Sequence, residues 1–439
     1  MLPSREPSPD HPRTLLNRLL QLSLVGVVVG VACWPFNLLD TAQSQLLARL
    51  PRFSGEPWSP LTLALACSPL LIAPLLLWLQ RGPLAAGAGS GIPQSLASVE
   101  QPERAARLLG PAPTAQRLLL WGLATLSLMP LGREGPVVQV GAAVAQGLRR
   151  RFPRLLTQLS DGDLLAVAAG AGLAGGFNTP LMGVVFVAEE FTSRFSAALV
   201  WPALVICGVA AGVSNLLGQP EFALGMLAVE PLELLQILWA VPIGVLGGAL
   251  GGLFALLLLR FSGFCLQQAR RQPVRLGLLV GAALSALMLL SGGGSGGDGE
   301  VLMSQLIHGG ASESAVVWTQ PLDTLLTLLV RVIGPVLALG TGIPGGLIDP
   351  SFAFGAVLGR GLGDLVGVGG LGLALGMAAG LAGATQLPVM TVLFALRLAG
   401  DQQLLPGLVI AAVIAAYVGR TVQPTPVYHA LAQLTMPRR

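Results

Sequence analysis

The 439 residues are 53% hydrophobic and 10% charged, with a mean hydropathy of +0.74. No water-soluble core hides that much apolar surface, so a soluble globular protein is excluded and the lipid bilayer must be the solvent. The net charge is +4, every basic residue is Arg, and the arginines gather at the ends of apolar segments; this is the positive-inside tendency and implies no nucleic-acid partner.

Arg5, Arg13 and Arg18 precede a first apolar run, Leu19 to Leu39, that is too long for the core of a signal peptide and has no small-residue cleavage site. It is expected to be a retained helix behind a tail, residues 1–16. Arg149 to Arg151 with Arg154 lie between two later runs, and Arg438 and Arg439 close the chain, so both termini are read as cytoplasmic, in the inner or plasma membrane of a cell. Leu61 to Leu79 and Leu234 to Leu259 are long enough to span. Leu118 to Leu131, Leu164 to Leu173, Leu181 to Ala188, Phe352 to Leu362 and Val389 to Leu396 are short and bounded by Gly or Pro. Broken segments survive at membrane depth only where protein or a water-lined cavity satisfies their backbone, which predicts a polar path through the middle. The reading is an all-α polytopic membrane protein. Cys33, Cys67, Cys207 and Cys265 are scattered without a CxxC pair, so they predict packing rather than a metal site or disulfides.

The chain repeats itself. Gly132-Arg-Glu-Gly-Pro136 aligns with Gly346-Leu-Ile-Asp-Pro350, and AAGAGLAGGFNTPLMGVVF from Ala168 aligns with AAGLAGATQLPVMTVLF from Ala378, placing Pro180 opposite Pro388. Two motifs in one order, displaced by roughly two hundred residues, predict two halves: residues 17–218 and 232–439, joined by a linker at 219–231. Such halves place a binding site at their interface, near the midplane.

Three Gly/Pro turns open apolar helical stretches: Gly89-Ser-Gly-Ile-Pro93, Gly132-Arg-Glu-Gly-Pro136 and Gly345-Gly-Leu-Ile-Asp-Pro350. Each marks a helix N-terminus, whose free amides and partial positive charge suit a dehydrated anion. The bland alternative is ordinary punctuation. Glu134 lies between apolar runs, where a charge costs about 2.5 to 3.5 kcal/mol, and so is functional by default. Charged, it would occupy an anion site as a tethered anion; protonated, it would withdraw. The alternative is an ion pair with Arg133. Glu189 and Glu190 end an apolar helix, where they oppose its dipole; one could accept protons, or both could be a solvated helix end. Tyr428, one of two tyrosines, could donate to an anion or anchor at the membrane interface. Gly293-Gly-Ser-Gly-Gly297, with His308 downstream, fits a nucleophile-elbow pattern, but it sits in a Gly run with no strand before it. Neither a phosphate-binding loop nor HExxH is present, so an enzyme is not expected.

GSGIP at Gly89, GREGP at Gly132, FNTPLMGVVFVAEE from Phe177 and PVYHAL at Pro426 together resemble the CLC family of chloride channels and chloride/proton antiporters, over almost the whole chain. The resemblance implies a homodimer of two-half, inverted-topology subunits, each with its own anion pathway. It implies no cofactor beyond bound chloride, and a prokaryotic type without C-terminal nucleotide-binding domains. Carried over, Ser90 and Tyr428 offer hydroxyls to the central anion, which Gly89, Gly91, Ile92, Arg133, Gly135, Leu347 and Ile348 surround. Glu134 is the external gate and Glu190 the internal proton-transfer acid of antiporters, while Arg117 falls where the family often carries a buried base. Chloride/proton exchange is therefore the expectation; a passive chloride channel and a fluoride/proton antiporter are the alternatives. Two positions depart from the family's usual second-half motif. Ile348 replaces an aromatic residue, and Asp349 adds a carboxylate, expected to cap its own helix.

Overall fold

The computed structural model describes residues 12–218, 227, 232–308 and 321–435. The linker at 219–231, Leu227 apart, lies outside them, as does the tail up to residue 11. The first half runs through α1 (Pro12–Ala32), α2 (Trp34–Leu47), α3 (Pro60–Leu79), α4 (Ile92–Glu100), α5 (Pro111–Leu126), α6 (Glu134–Arg151), α7 (Asp161–Phe177), α8 (Pro180–Phe186) and α9 (Ala197–Leu216). The second half follows with α10 (Ala240–Arg271), α11 (Pro273–Leu290), α12 (Glu300–His308), α13 (Pro321–Gly340), α14 (Ile348–Leu365), α15 (Gly369–Thr385), α16 (Pro388–Ala399), α17 (Leu405–Val422) and α18 (Val427–Thr435). No strand occurs among the described residues. Seven helical stretches there are long and apolar enough to cross a membrane, and the chain is an integral, multi-pass membrane protein. The expected helix over Leu19–Leu39 is broken at Cys33, because Pro35 lacks the amide that would continue the ladder.

The repeat predicts two matching helix pairs, and both are present. In the first half α6 crosses α7 so closely that a Cβ on Gly141 would meet the Ala168 carbonyl and the Gly172 amide. In the second half α14 crosses α15 the same way, with Gly355 against the Gly376 carbonyl and Gly359 against that of Gly372. In lipid, helices gain little from apolar burial against each other, so such small-residue crossings carry the packing.

The two halves meet in the middle. Gly132 and Gly346, equivalent residues of the repeat, form an isolated antiparallel bridge in which each amide donates to the other's carbonyl at 2.9 Å. Equivalent residues exchanging both bonds antiparallel are the local mark of a two-fold relation, so the halves are inverted with respect to one another. Short helices α6 and α14 begin at this bridge, which places two N-termini at the centre of the molecule. Their first amides have no partner within their own helices.

Candidate functional site

All three Gly/Pro turns open helices as expected, at Ile92, Glu134 and Ile348, with Pro93, Pro136 and Pro350 in the first turns. They also converge. A Cβ on Gly91 would strike the Gly135 carbonyl, and one on Gly135 would strike the Ser90 carbonyl and hydroxyl and approach the Gly345 carbonyl to 2.8 Å. Gly91 has φ of +115°, a conformation that other residues rarely adopt. Buried Arg117 fixes this loop from behind: its Nε donates to the Gly89 carbonyl at 2.9 Å and a terminal nitrogen donates to that of Ala88 at 2.8 Å. Leu347 and Ile348, at the start of α14, are likewise buried.

Glu134 is fully buried, and its carboxylate crosses from its own half to the other. Its Oε1 accepts the backbone amide of Asp349 at 2.6 Å, and the amide of Glu134 itself lies beside the same group. The carboxylate thus rests on the N-termini of α6 and α14 together. A Cβ at 132 or 346 would occupy the volume of this carboxylate, so a side chain at either place would displace it.

Arg133 is not its counterion. The guanidinium turns away to Asp40 and to Glu300 at 2.9 Å, and lies 4.7 Å from the centre of the Phe177 ring. Its two terminal nitrogens are thereby committed, while Nε is buried without a hydrogen-bond partner among the described residues. The oxygens of Asp40, Asp298 and Glu300 lie within 4.8 Å of one another around this arginine. Asp298 and Glu300 follow the Gly run that sequence reading passed over as a loop. That run is buried, and Arg331 donates to the carbonyls of Gly296 and Gly297, both at 3.0 Å. Ser295 contacts Met288, and His308 pairs with Ser304 one turn back, so no nucleophile and base are brought together there.

Asp349 does not cap its helix as expected. The N-cap is Leu347, with no side-chain cap bond, and Asp349 is the second helical residue, buried, with Oδ2 lacking a partner among the described residues. Its side chain faces Glu134 instead of its own amides. One acid of the repeat therefore sits on an N-terminus and the other beside it.

Tyr428 is 1% exposed, which removes the interfacial-anchor reading; Tyr417 is the exposed tyrosine. The Tyr428 hydroxyl and Ser90 Oγ are both buried with no partner among the described residues. Buried hydroxyls without acceptors are costly, and these suit an anion that would accept from them. Helix α18, carrying Tyr428, packs on α4, which Ser90 precedes. The charges of Glu134, Glu190 and Asp349 all act on the Tyr428 hydroxyl.

The acid pair at 189–190 is divided by a single π-helical turn over Val187–Thr192. Glu189 caps α16, accepting from Val389 at 3.1 Å and Met390 at 2.7 Å. Glu190 is 2% exposed, so the solvated-end reading does not hold for it, and its Oε1 lies 3.2 Å from His429 Nδ1. Sequence reading missed His429, although it directly follows Tyr428. Two cavities open beside α18. One, of about 350 Å³, is lined by Ser90, Arg81, Arg107, Arg117, Thr341 and Leu347; the other, of about 600 Å³, by Glu189, Glu190, Gln386, Arg420 and His429. They share no lining residue, and Leu431 and Thr435 face the first where His429 and Gln433 face the second.

Inverted halves, a seat of helix N-termini and a carboxylate resting on it define a membrane ion-transport protein with an anion pathway at the interface of its halves. The profile of the voltage-gated chloride channel family matches residues 70–420, and the chain belongs to that family. It is 30% identical over 450 residues to the H(+)/Cl(-) exchange transporter ClcA of Yersinia pseudotuberculosis, covering 98% of this chain and 90% of that protein. Among solved structures it is similar to a slow cyanobacterial Cl-/H+ antiporter, with a TM-score of 0.76 at 24% identity, over 98% of this chain and all of that one. A CLC-type fluoride/proton antiporter matches with a TM-score of 0.75 at 26% identity, over 96% of this chain and 99% of that one.

Proposed function

We propose that this protein is a secondary active transporter that exchanges chloride for protons. The observation that carries the reading is the Glu134 carboxylate held by the Asp349 amide at 2.6 Å. It stands where a halide would stand, as a tethered anion. Protonation removes the charge that holds it on the two N-termini, and the outer path opens as the proton is taken up. The anion then rests against the backbone of residues 89–92, 133–135 and 347–348 and the hydroxyls of Ser90 and Tyr428. No full cation lies on this seat, because Arg133 is neutralised by Asp40 and Glu300; weak binding by dipoles suits rapid passage. Glu190 relays the proton at the other end.

Arg149 pairs with Asp161 and Arg194 with Asp163, which ties the arginine-rich turn and the Glu190 segment to one end of α7. The positive-inside rule makes this the cytoplasmic face and Glu134 the outer gate. The similarity to the exchange transporter supports chloride as the anion; a homodimer with one pathway per subunit and no cofactor are proposed with it.

The test is proton movement into sealed liposomes driven only by a chloride gradient. Uphill proton movement in the wild type, lost in Glu134→Gln and in Glu190→Gln, establishes exchange. Chloride flux without protons establishes a channel instead.

A further inference from the structure

We propose that His429 is the gate through which protons pass between water and Glu190, its imidazole bridging the open cavity and the buried carboxylate. The idea rests on the exchange reading and adds a residue to it. Glu190 reaches the second cavity with a side chain only 1% exposed, against 38% for that of His429, whose Nδ1 lies 3.2 Å from Glu190 Oε1. The ring lines the cavity of about 600 Å³. The neighbouring acid, Glu189, is committed to the amides of Val389 and Met390 and offers no second route.

The position on α18 matters as much as the distance. Tyr428 and His429 are consecutive, so their side chains point about 100° apart around the helix axis. Tyr428 is thereby turned to the anion seat and His429 to the second cavity, keeping the proton route apart from the anion route. The charged and titratable groups that face His429 are Glu190 from the π-helical turn, Glu100 from the end of α4, and Arg420 and Tyr417 of α17, which line the same cavity. Glu189 lines the same cavity and interacts with the charge of Glu190.

The transfer balances with one proton. A hydronium ion in the cavity gives a proton to Nε2 and is left as water while Nδ1 passes its own proton to Glu190 Oε1, and the neutral ring then resets by exchanging tautomers. Outward-to-inward exchange runs the same steps in reverse. Histidine suits this task because its unperturbed pKa lies near neutrality.

The experiment uses the full chain in liposomes, comparing wild type, His429→Ala, His429→Gln and Glu190→Gln, with and without imidazole on both sides. The expected result is an initial proton flux about a hundredfold lower in both His429 variants, with a lower proton-to-chloride ratio, in line with the loss of a general acid–base group. Imidazole restores His429→Ala, where space is left for it, and does nothing for Glu190→Gln. A wild-type ratio in His429→Ala, or a loss that imidazole does not restore, overturns the proposal. Failure of wild type to move protons at all overturns the exchange reading separately, since that arm involves no substitution.

Discussion

The turn at Gly132–Pro136 and the turn at Gly346–Pro350 share one backbone and differ in where they carry an acid. In the first, Glu134 is the first residue of α6 and reaches across the Gly132–Gly346 bridge to the other half; in the second, the equivalent position is Ile348 and the acid is displaced to Asp349, opposite Gly135. The repeated backbone builds a symmetric seat of amides, and a single long carboxylate makes it a one-sided gate. Symmetry supplies the site and its breaking supplies the direction.

Breaking the asymmetry outright gives the largest effect. Glu134→Gln keeps the shape and removes the titratable charge, so proton-coupled movement falls to background in the liposome assay while chloride still flows. Restoring a side chain to the bridge comes next. Gly346→Ala places a methyl group where the Glu134 carboxylate lies, and overpacking of this kind costs about 1–3 kcal/mol. A lower unfolding temperature in detergent, partly relieved by combining it with Glu134→Ala, would show that the carboxylate is what the methyl displaces.

The displaced acid can be probed by itself. Asp349→Ala removes a carboxyl group beside the seat, and chloride binding measured by calorimetry is expected to tighten by about tenfold, or about 1.4 kcal/mol. Unchanged affinity would mean that Asp349 carries no charge when chloride is bound. The smallest effect is expected inside the other acid pair. Glu189→Gln weakens the cap on α16 by about 1 kcal/mol and leaves the proton-to-chloride ratio at its wild-type value, in contrast to Glu190→Gln.

Much of this architecture was legible before any coordinates. Composition demanded a bilayer, the interrupted segments demanded a polar interior, and the repeat demanded two halves, because each follows from backbone hydrogen bonding in lipid. The three turns could be assigned to helix N-termini from Gly and Pro alone. The reading went astray where the answer depended on a partner distant in sequence. Asp349 looked like a cap because capping is the local use of an aspartate at a helix start, yet its neighbour is Glu134, more than two hundred residues away. The alternative of an ion pair between Arg133 and adjacent Glu134 fell for the same reason, since the arginine's charge is answered by Asp40 and Glu300. The Gly run at 293–297 is a loop, as read, but its burial and its carbonyls' hold on Arg331 were not legible.

The sequence by itself determined that this is a two-fold repeated membrane protein with helix N-termini and one acid at its centre, since periodicity, turn chemistry and the cost of charge in lipid are all local or additive properties. Only the tertiary structure decided which acid rests on the amides, which one caps a helix, and that His429 is set 3.2 Å from Glu190. Those assignments depend on how the two halves close on each other, and a side chain at membrane depth takes its role from the groups that closure brings within a few ångströms.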